Sequence, residues 1–191
     1  MKYFLDCEFH EDGHTIDLIS IGIVAEDGRE FYAVNADCNW DRIWGGVTQH
    51  DRERTAWLRD NVMPQIDRSI AIPRTDIRDQ VRDFVLFQPK HVPSWCPVEF
   101  WGYYAATDWV ALYQLWGRLI DIPPHFPKWC RDIKQFAASV GNPTLPYDPK
   151  IHHALEDARW QKLAYDFMVE HAKQKADEER VRLPLQMLGI K

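Results

Sequence analysis

Asp6 and Glu8 stand two positions apart in Phe4-Leu5-Asp6-Cys7-Glu8-Phe9, an otherwise apolar run near the N-terminus. In an extended strand, residues i and i+2 leave from one face, so the two carboxylates emerge together while Leu5, Cys7 and Phe9 turn into packing. Neighbouring carboxylates repel unless a cation or a proton lies between them, and each is costly to bury unpaired. A bound metal ion resolves both difficulties. Asp-x-Glu alone is common on solvated strands. This strand, however, is apolar like a central strand with both faces covered, so its charges need a reason.

Three more residues with suitable chemistry lie far along the chain. Asp108 follows Trp101-Gly102-Tyr103-Tyr104-Ala105-Ala106-Thr107, at a strand-to-helix junction. Taken alone it serves equally as a first-turn acid favoured by the helix dipole, with Thr107 as cap. His152 and Asp157 belong to His152-His153-Ala154-Leu155-Glu156-Asp157, which opens the last helix. With a helix starting at His153, Asp157 falls in its second turn and His152 at its mouth, so both can face one cleft. His153 and Glu156 compete for these places, and a solvated helix start suits one histidine and one acid. Two metals about 4 Å apart can activate a water and steady the leaving oxygen of an in-line displacement. Magnesium takes carboxylate oxygens and keeps several waters, and a neutral imidazole beside them can accept a proton. Four carboxylates and one histidine are a complete set of parts for hydrolysing a phosphodiester. Cys7-x-x-His10 has the spacing of half a zinc site, but no second half is spaced to match.

The elements that must position these groups follow from pattern. Residues 2–8 read as a buried strand, 16–26 as a second, and 29–34 as its return after the hairpin signal Asp27-Gly28. Residues 55–63 and 75–87 have helical spacing, with Ile77, Val81, Phe84 and Val85 on one face, and five prolines break up the stretch from Pro64 to Pro97. A strand over 98–103, a helix over 107–116, a fifth strand over 128–133 and a short helix over 134–140 come next. The last helix spans 153–173, with Trp160, Leu163, Ala164, Phe167 and Met168 as its apolar stripe. This order predicts an α/β fold, a mixed central sheet with helices packed on it. Residues 1–175 form one domain, and 176–191 a charged then apolar tail that docks or faces a partner.

Composition narrows the function. The 191 residues carry a net charge of -6, with 46% hydrophobic and 27% charged residues, which suits one soluble domain. An acidic chain lacks the broad basic footprint of a non-specific nucleic-acid binder, so any nucleic acid is held over a short stretch, through metal ions and local contacts. Four widely spaced cysteines, no signal peptide and no apolar run near 20 residues point to a reducing cytoplasm and no membrane.

Phe4-Leu5-Asp6-Cys7-Glu8, Asp108 after Gly102, and His152 with Asp157 followed by Ala158 resemble the motifs of the DEDDh 3′→5′ exonucleases of the ribonuclease H-like fold. Within that superfamily the nearest likeness is to the ribonuclease AS type, polyadenylate-specific 3′→5′ exoribonucleases. It is carried by Glu11 to Gly22, Val24 to Glu30 and Val110 to Gly117, and it spans residues 1–170. The resemblance implies a ribonuclease H-like sheet with helices on both faces, release of nucleoside monophosphates from RNA 3′ ends, an oligo(A) preference and a homodimer. It also implies two magnesium ions, replaceable by manganese. Asp6, Glu8 and Asp157 would hold one ion, and Asp6 would share the second with Asp108, directly or through water. His152 would be the general base. Phe9, His10 and Trp109, close to the acids in sequence, are candidates for stacking on bases, with core packing as their ordinary role. The alternatives are a DEDDh enzyme acting on DNA, a non-catalytic nucleic-acid-binding module of the same fold, and an interaction protein using the tail.

Overall fold

The computed structural model describes residues 1–45, 49–87, 97–147 and 152–187. Five strands form one mixed sheet: β1 (Lys2–Glu11), β2 (Ile16–Ala25), β3 (Glu30–Val34), β4 (Glu99–Gly102) and β5 (Arg131–Asp132). Their order is β3-β2-β1-β4-β5. The first three make an antiparallel meander, while β4 runs parallel to β1 and β5 parallel to β4. Helices α1 (Trp40–Gly45), α2 (Gln49–Asn61) and α3 (Arg74–Leu86) follow the meander. The later helices are α4 (Ala106–Tyr113), α5 (Ile133–Ser139) and α6 (Ala154–Met187). This is the α/β architecture expected from the order of elements, consistent with a ribonuclease H-like fold.

The period of two along β1 divides the core. Tyr3, Leu5 and Cys7, with Ile21, Ile23, Ala33 and Phe100, face Ile77, Val81 and Val85 of α3 and Trp109 and Leu112 of α4. Phe4, Val24 and Trp101 lie on the other face with Ile133 and Ala137 of α5 and Ala158, Trp160, Ala164 and Met168 of α6. A third cluster, Ile19, Cys38, Ile43, Leu58, Val62 and Met63, attaches α1 and α2. β1 is therefore central and covered on both sides, as its apolar sequence requires.

Three local features depart from expectation. Asp27-Gly28 sits in a three-residue loop, not a two-residue one: the Gly28 amide donates to the Ala25 carbonyl at 2.9 Å and the Ala25 amide to that of Arg29 at 2.8 Å. Gly28, at φ 89°, takes the left-handed position that closes such loops. The fifth strand is two residues long because Asp132 ends it. Its carboxylate accepts the Gln135 amide, capping α5, and the Ala105 amide from the turn before α4, both at 2.9 Å. Finally, α6 does not stop near residue 173 but runs through Met187: residues 173–183 contain no glycine or proline, and Pro184 falls only in the last turn.

The buried stripe of α6 also differs. Trp160, Ala164 and Met168 are buried as expected, but Leu163 and Phe167 are 55% and 39% exposed. Ala154, Ala158 and Gln161 take their share of the interior. Small residues there let the helix close on the sheet. The approach is tightest at Gly22, where an added Cβ would lie 2.3 Å from the backbone carbon and oxygen of Ala154. Gly22 is the cross-strand partner of Asp6, so its bare backbone fixes how near the start of α6 comes to that residue. Gly22→Ala is expected to cost about 1–3 kcal/mol through overpacking, read as a lower denaturation midpoint. An unchanged midpoint would mean that α6 seats farther from β2.

Candidate metal centre and active site

Asp6 and Glu8 project from β1 on the face covered by α6, opposite Gly22 and Ser20 of β2. Asp6 Oδ1 accepts a hydrogen bond from Gln161 Nε2 at 2.9 Å. Gln161 lies one helical turn after Asp157, on the same side of α6, and is fully buried. Asp108 reaches β1 from the first turn of α4 and accepts the Cys7 amide at 3.0 Å. β4 pairs with β1 only from Lys2 to Phe4. Beyond that point Asp108 supplies an acceptor that the sheet no longer provides, and the bond pins α4 to the carboxylate strand.

The loop before α6 completes the cluster. One oxygen each of Glu8 and Asp157 and one ring nitrogen of His152 lie within 4.8 Å of one another. His152 is at φ 55°, in the left-handed region rarely taken by residues with a side chain. That turn sets His152 apart from the helix, whose first turn begins at Ala154 and includes Asp157. The helix starts one residue later than expected, so Asp157 closes its first turn, its amide donating to the His153 carbonyl at 3.0 Å. The competing residues have other partners. His153 stacks on Tyr32, with centroids 4.5 Å apart. Glu156 pairs with Arg159, which also grips Glu30 at 2.6 Å.

Burial and mutual repulsion dominate the electrostatics. Burial pushes the Glu8 carboxyl up to about 8, with Asp157 and Asp108 adding repulsion. Burial likewise raises Asp108 to about 7, against the pull of the Cys7 amide. Asp6 is raised well above the usual carboxylate range, first by burial and then by Asp108, Glu8 and Asp157. Surface acids behave oppositely: Arg78 holds Asp79 low, and Arg118 does the same to Asp121. Among the described residues no lysine or arginine forms an ion pair with Asp6, Glu8 or Asp108. Oxygen donors, one imidazole and three crowded acids, Asp6, Glu8 and Asp108, that have no lysine or arginine partner are a donor set that fits divalent cations.

The expected substrate contacts lie differently. Trp109 is buried in the core beneath the opposite sheet face, against Phe100 and Tyr113. Phe9 is half-buried against that same core, and His10 is buried near the end of β1. Two neighbours of the site escaped the sequence reading. Gln161 could have been found from its one-turn spacing to Asp157. Trp57, on α2, had no local signal: it stands edge-on to His152 with centroids 4.8 Å apart, across a long separation in sequence.

Residues 1–169 match the family described as the 3′-5′ exoribonuclease Rv2179c-like domain. The chain belongs to that family. Two similar proteins, both from Mycobacterium tuberculosis, are the 3′-5′ exoribonuclease Rv2179c of strain H37Rv and the 3′-5′ exoribonuclease MT2234.1 of strain CDC 1551. Each is 40% identical over 166 residues, covering 84% of this chain and 89% of its own length. Family membership thus joins a nuclease description to a cluster whose chemistry had been read separately.

The raised carboxyls have a measurable consequence without metal. A folded-state pKa above the unfolded value favours the protonated fold, so the stability is present at pH 4 and lost as pH rises through 7 to 8. The metal-free protein is expected to melt lower at pH 8 than at pH 5, and a divalent cation to raise the midpoint more at pH 8. Equal cation effects at the two pH values, or a Glu8→Gln variant with the wild-type pH profile, would contradict this.

Proposed function

We propose that the chain is a DEDDh-type, divalent-metal-dependent exoribonuclease of the ribonuclease AS kind. It removes nucleoside monophosphates from the 3′ ends of single-stranded RNA, with oligo(A) tails as preferred substrates. The observation that carries this reading is the convergence of Glu8, His152 and Asp157 within 4.8 Å, with Asp6 and Asp108 electrostatically coupled to them. Asp6, Glu8 and Asp157 would hold one cation, and Asp6 with Asp108 a second, magnesium by preference and manganese in its place. Bound there, the cations supply positive charge to the scissile phosphate, the attacking water and the leaving oxygen.

The protein's own groups do the rest. His152 takes the proton of the attacking water at a ring nitrogen, and its position outside the helix leaves it free to face the substrate. The water oxygen bonds to phosphorus, the P–O3′ bond breaks, and the departing 3′ oxygen takes up a proton from solvent. Gln161 holds the Asp6 carboxylate in one orientation, and the Cys7 amide does the same for Asp108. RNA is favoured over DNA by the exoribonuclease descriptions of the family and of both relatives. The complete donor set weighs against a non-catalytic module. Adenine preference and a homodimer rest on the ribonuclease AS resemblance. No helix among the described residues is long and apolar enough to cross a membrane, and Cys7, Cys38 and Cys130 are free thiols. Both fit a cytoplasmic enzyme.

The test is a 3′-end degradation assay with magnesium on oligo(A)-tailed RNA, other RNA tails and matched DNA. Stepwise shortening of RNA, abolished in Asp157→Asn and His152→Ala, is the expected outcome, with oligo(A) shortened fastest. Gln161→Leu should lower the rate about 10–100-fold, the usual cost of losing a residue that orients a ligand. Faster loss of DNA would shift the substrate. No cleavage by folded, metal-supplied protein would overturn the reading.

A further inference from the structure

The stretch between β3 and β4 is outside every role given above, yet it delivers one side chain to the cluster. On α2, Leu58 turns into the packing with Val62 and Met63 that attaches this segment to the sheet. Its neighbour Trp57 does not follow. The indole is 52% exposed and stands perpendicular to the His152 ring, with centroids 4.8 Å apart and an interplanar angle of 77°. A core tryptophan is covered on both faces, as Trp109 is, and a tryptophan that only shielded the histidine would lie over it. Trp57 touches the imidazole in a T-shaped contact and leaves about half of its surface to solvent beside the donor groups of Glu8, His152 and Asp157.

We propose that Trp57 is the stacking platform for a nucleobase at the RNA 3′ end, an assignment that rests on the exoribonuclease reading. A nucleotide whose phosphate lies against the carboxylates carries its base one sugar away, so an open aromatic surface at the rim of the cluster is where that base finds a partner. Aromatic stacking accepts any base and is strongest for purines, whose larger rings cover more of an indole. The same contact bears on His152. A base on the indole holds the scissile phosphate beside the imidazole. An acidic chain has little long-range electrostatic grip on RNA, and one stacked base replaces part of it at the position where register matters.

The experiment compares wild type, Trp57→Phe and Trp57→Ala on RNA oligonucleotides that end in adenosine, in uridine or in an abasic residue. Wild-type activity on adenosine-ended RNA establishes the parent reading first; its absence would sink that reading and not this assignment alone. With activity present, Trp57→Ala is expected to raise KM on adenosine-ended RNA about tenfold, the lower range for one lost base stack, with kcat changed much less. It should also erase the wild-type preference for adenosine over the abasic end, and Trp57→Phe should restore part of it. A variant that keeps the wild-type KM and discrimination overturns the proposal. So does a loss confined to kcat and equal on all three ends, because it would make Trp57 a positioning residue for His152. Melting curves of the three proteins exclude unfolding as the cause, and the half-exposed position makes Trp57→Phe a mild change.

Discussion

Burying several like charges on the central strand is the constraint around which this molecule is organised. Asp6 and Glu8 sit on β1, the middle strand of the five, and Asp108 and Asp157 are brought to them from either side. Among the described residues no lysine or arginine pairs with Asp6, Glu8 or Asp108 to offset the repulsion. The fold tolerates it because β1 also carries Tyr3, Phe4 and Leu5, all fully buried, and each large apolar side chain so buried contributes roughly 1.5–3 kcal/mol. The same strand supplies cohesion through most of its residues and an electrostatic liability through two of them. That liability is one that a bound divalent cation would relieve.

Two of the site carboxylates, Asp108 and Asp6, are held by contacts that also hold the fold. The Asp108 bond to the Cys7 amide replaces a sheet hydrogen bond past the end of β4. Gln161, on the buried side of α6, fixes Asp6 from the helix that delivers Asp157. Asp132 ends β5, caps α5 and secures the turn leading to α4 in one side chain. Positioning the site and closing the sheet are thus a single set of interactions, so the acids cannot drift apart without loss of secondary-structure contacts.

Much of this was legible in residue types and spacing, for definite reasons. The alternation along β1 and the helical period of α3 are local patterns, so strand, helix and buried face followed directly. Residue types alone did not separate His152 and Asp157 from His153 and Glu156; only the motif resemblance favoured them, and the fold sets the two pairs apart. The choice depends on a left-handed turn at His152, on Tyr32 two strands away and on Arg159 reaching Glu30, none of which has a sequence period. The α6 stripe was misplaced because Leu163 and Phe167 outweigh alanines on any hydrophobic scale, whereas the sheet selects the small residues that allow close approach. Trp109 looked like a ligand contact through adjacency to Asp108. Successive helical residues point about 100° apart, which sends one toward the carboxylates and the other into the core. Trp57 belongs to a segment whose helical spacing was legible, but nothing in that spacing says which of its side chains reaches His152, and only the folded chain brings the two together.

Helix α6 is 34 residues long, about 50 Å at the helical rise, and free of proline and glycine from Ala154 to Leu183. Asp157 and Gln161 are at its beginning, pressed on the sheet at Gly22, while its later turns extend past the strands. A rod of that kind is a mechanical element: axial rotation or a sideways load at the distal end arrives at the proximal end with no joint to absorb it. The acid on the first turn therefore shares one stiff body with surface far from the chemistry.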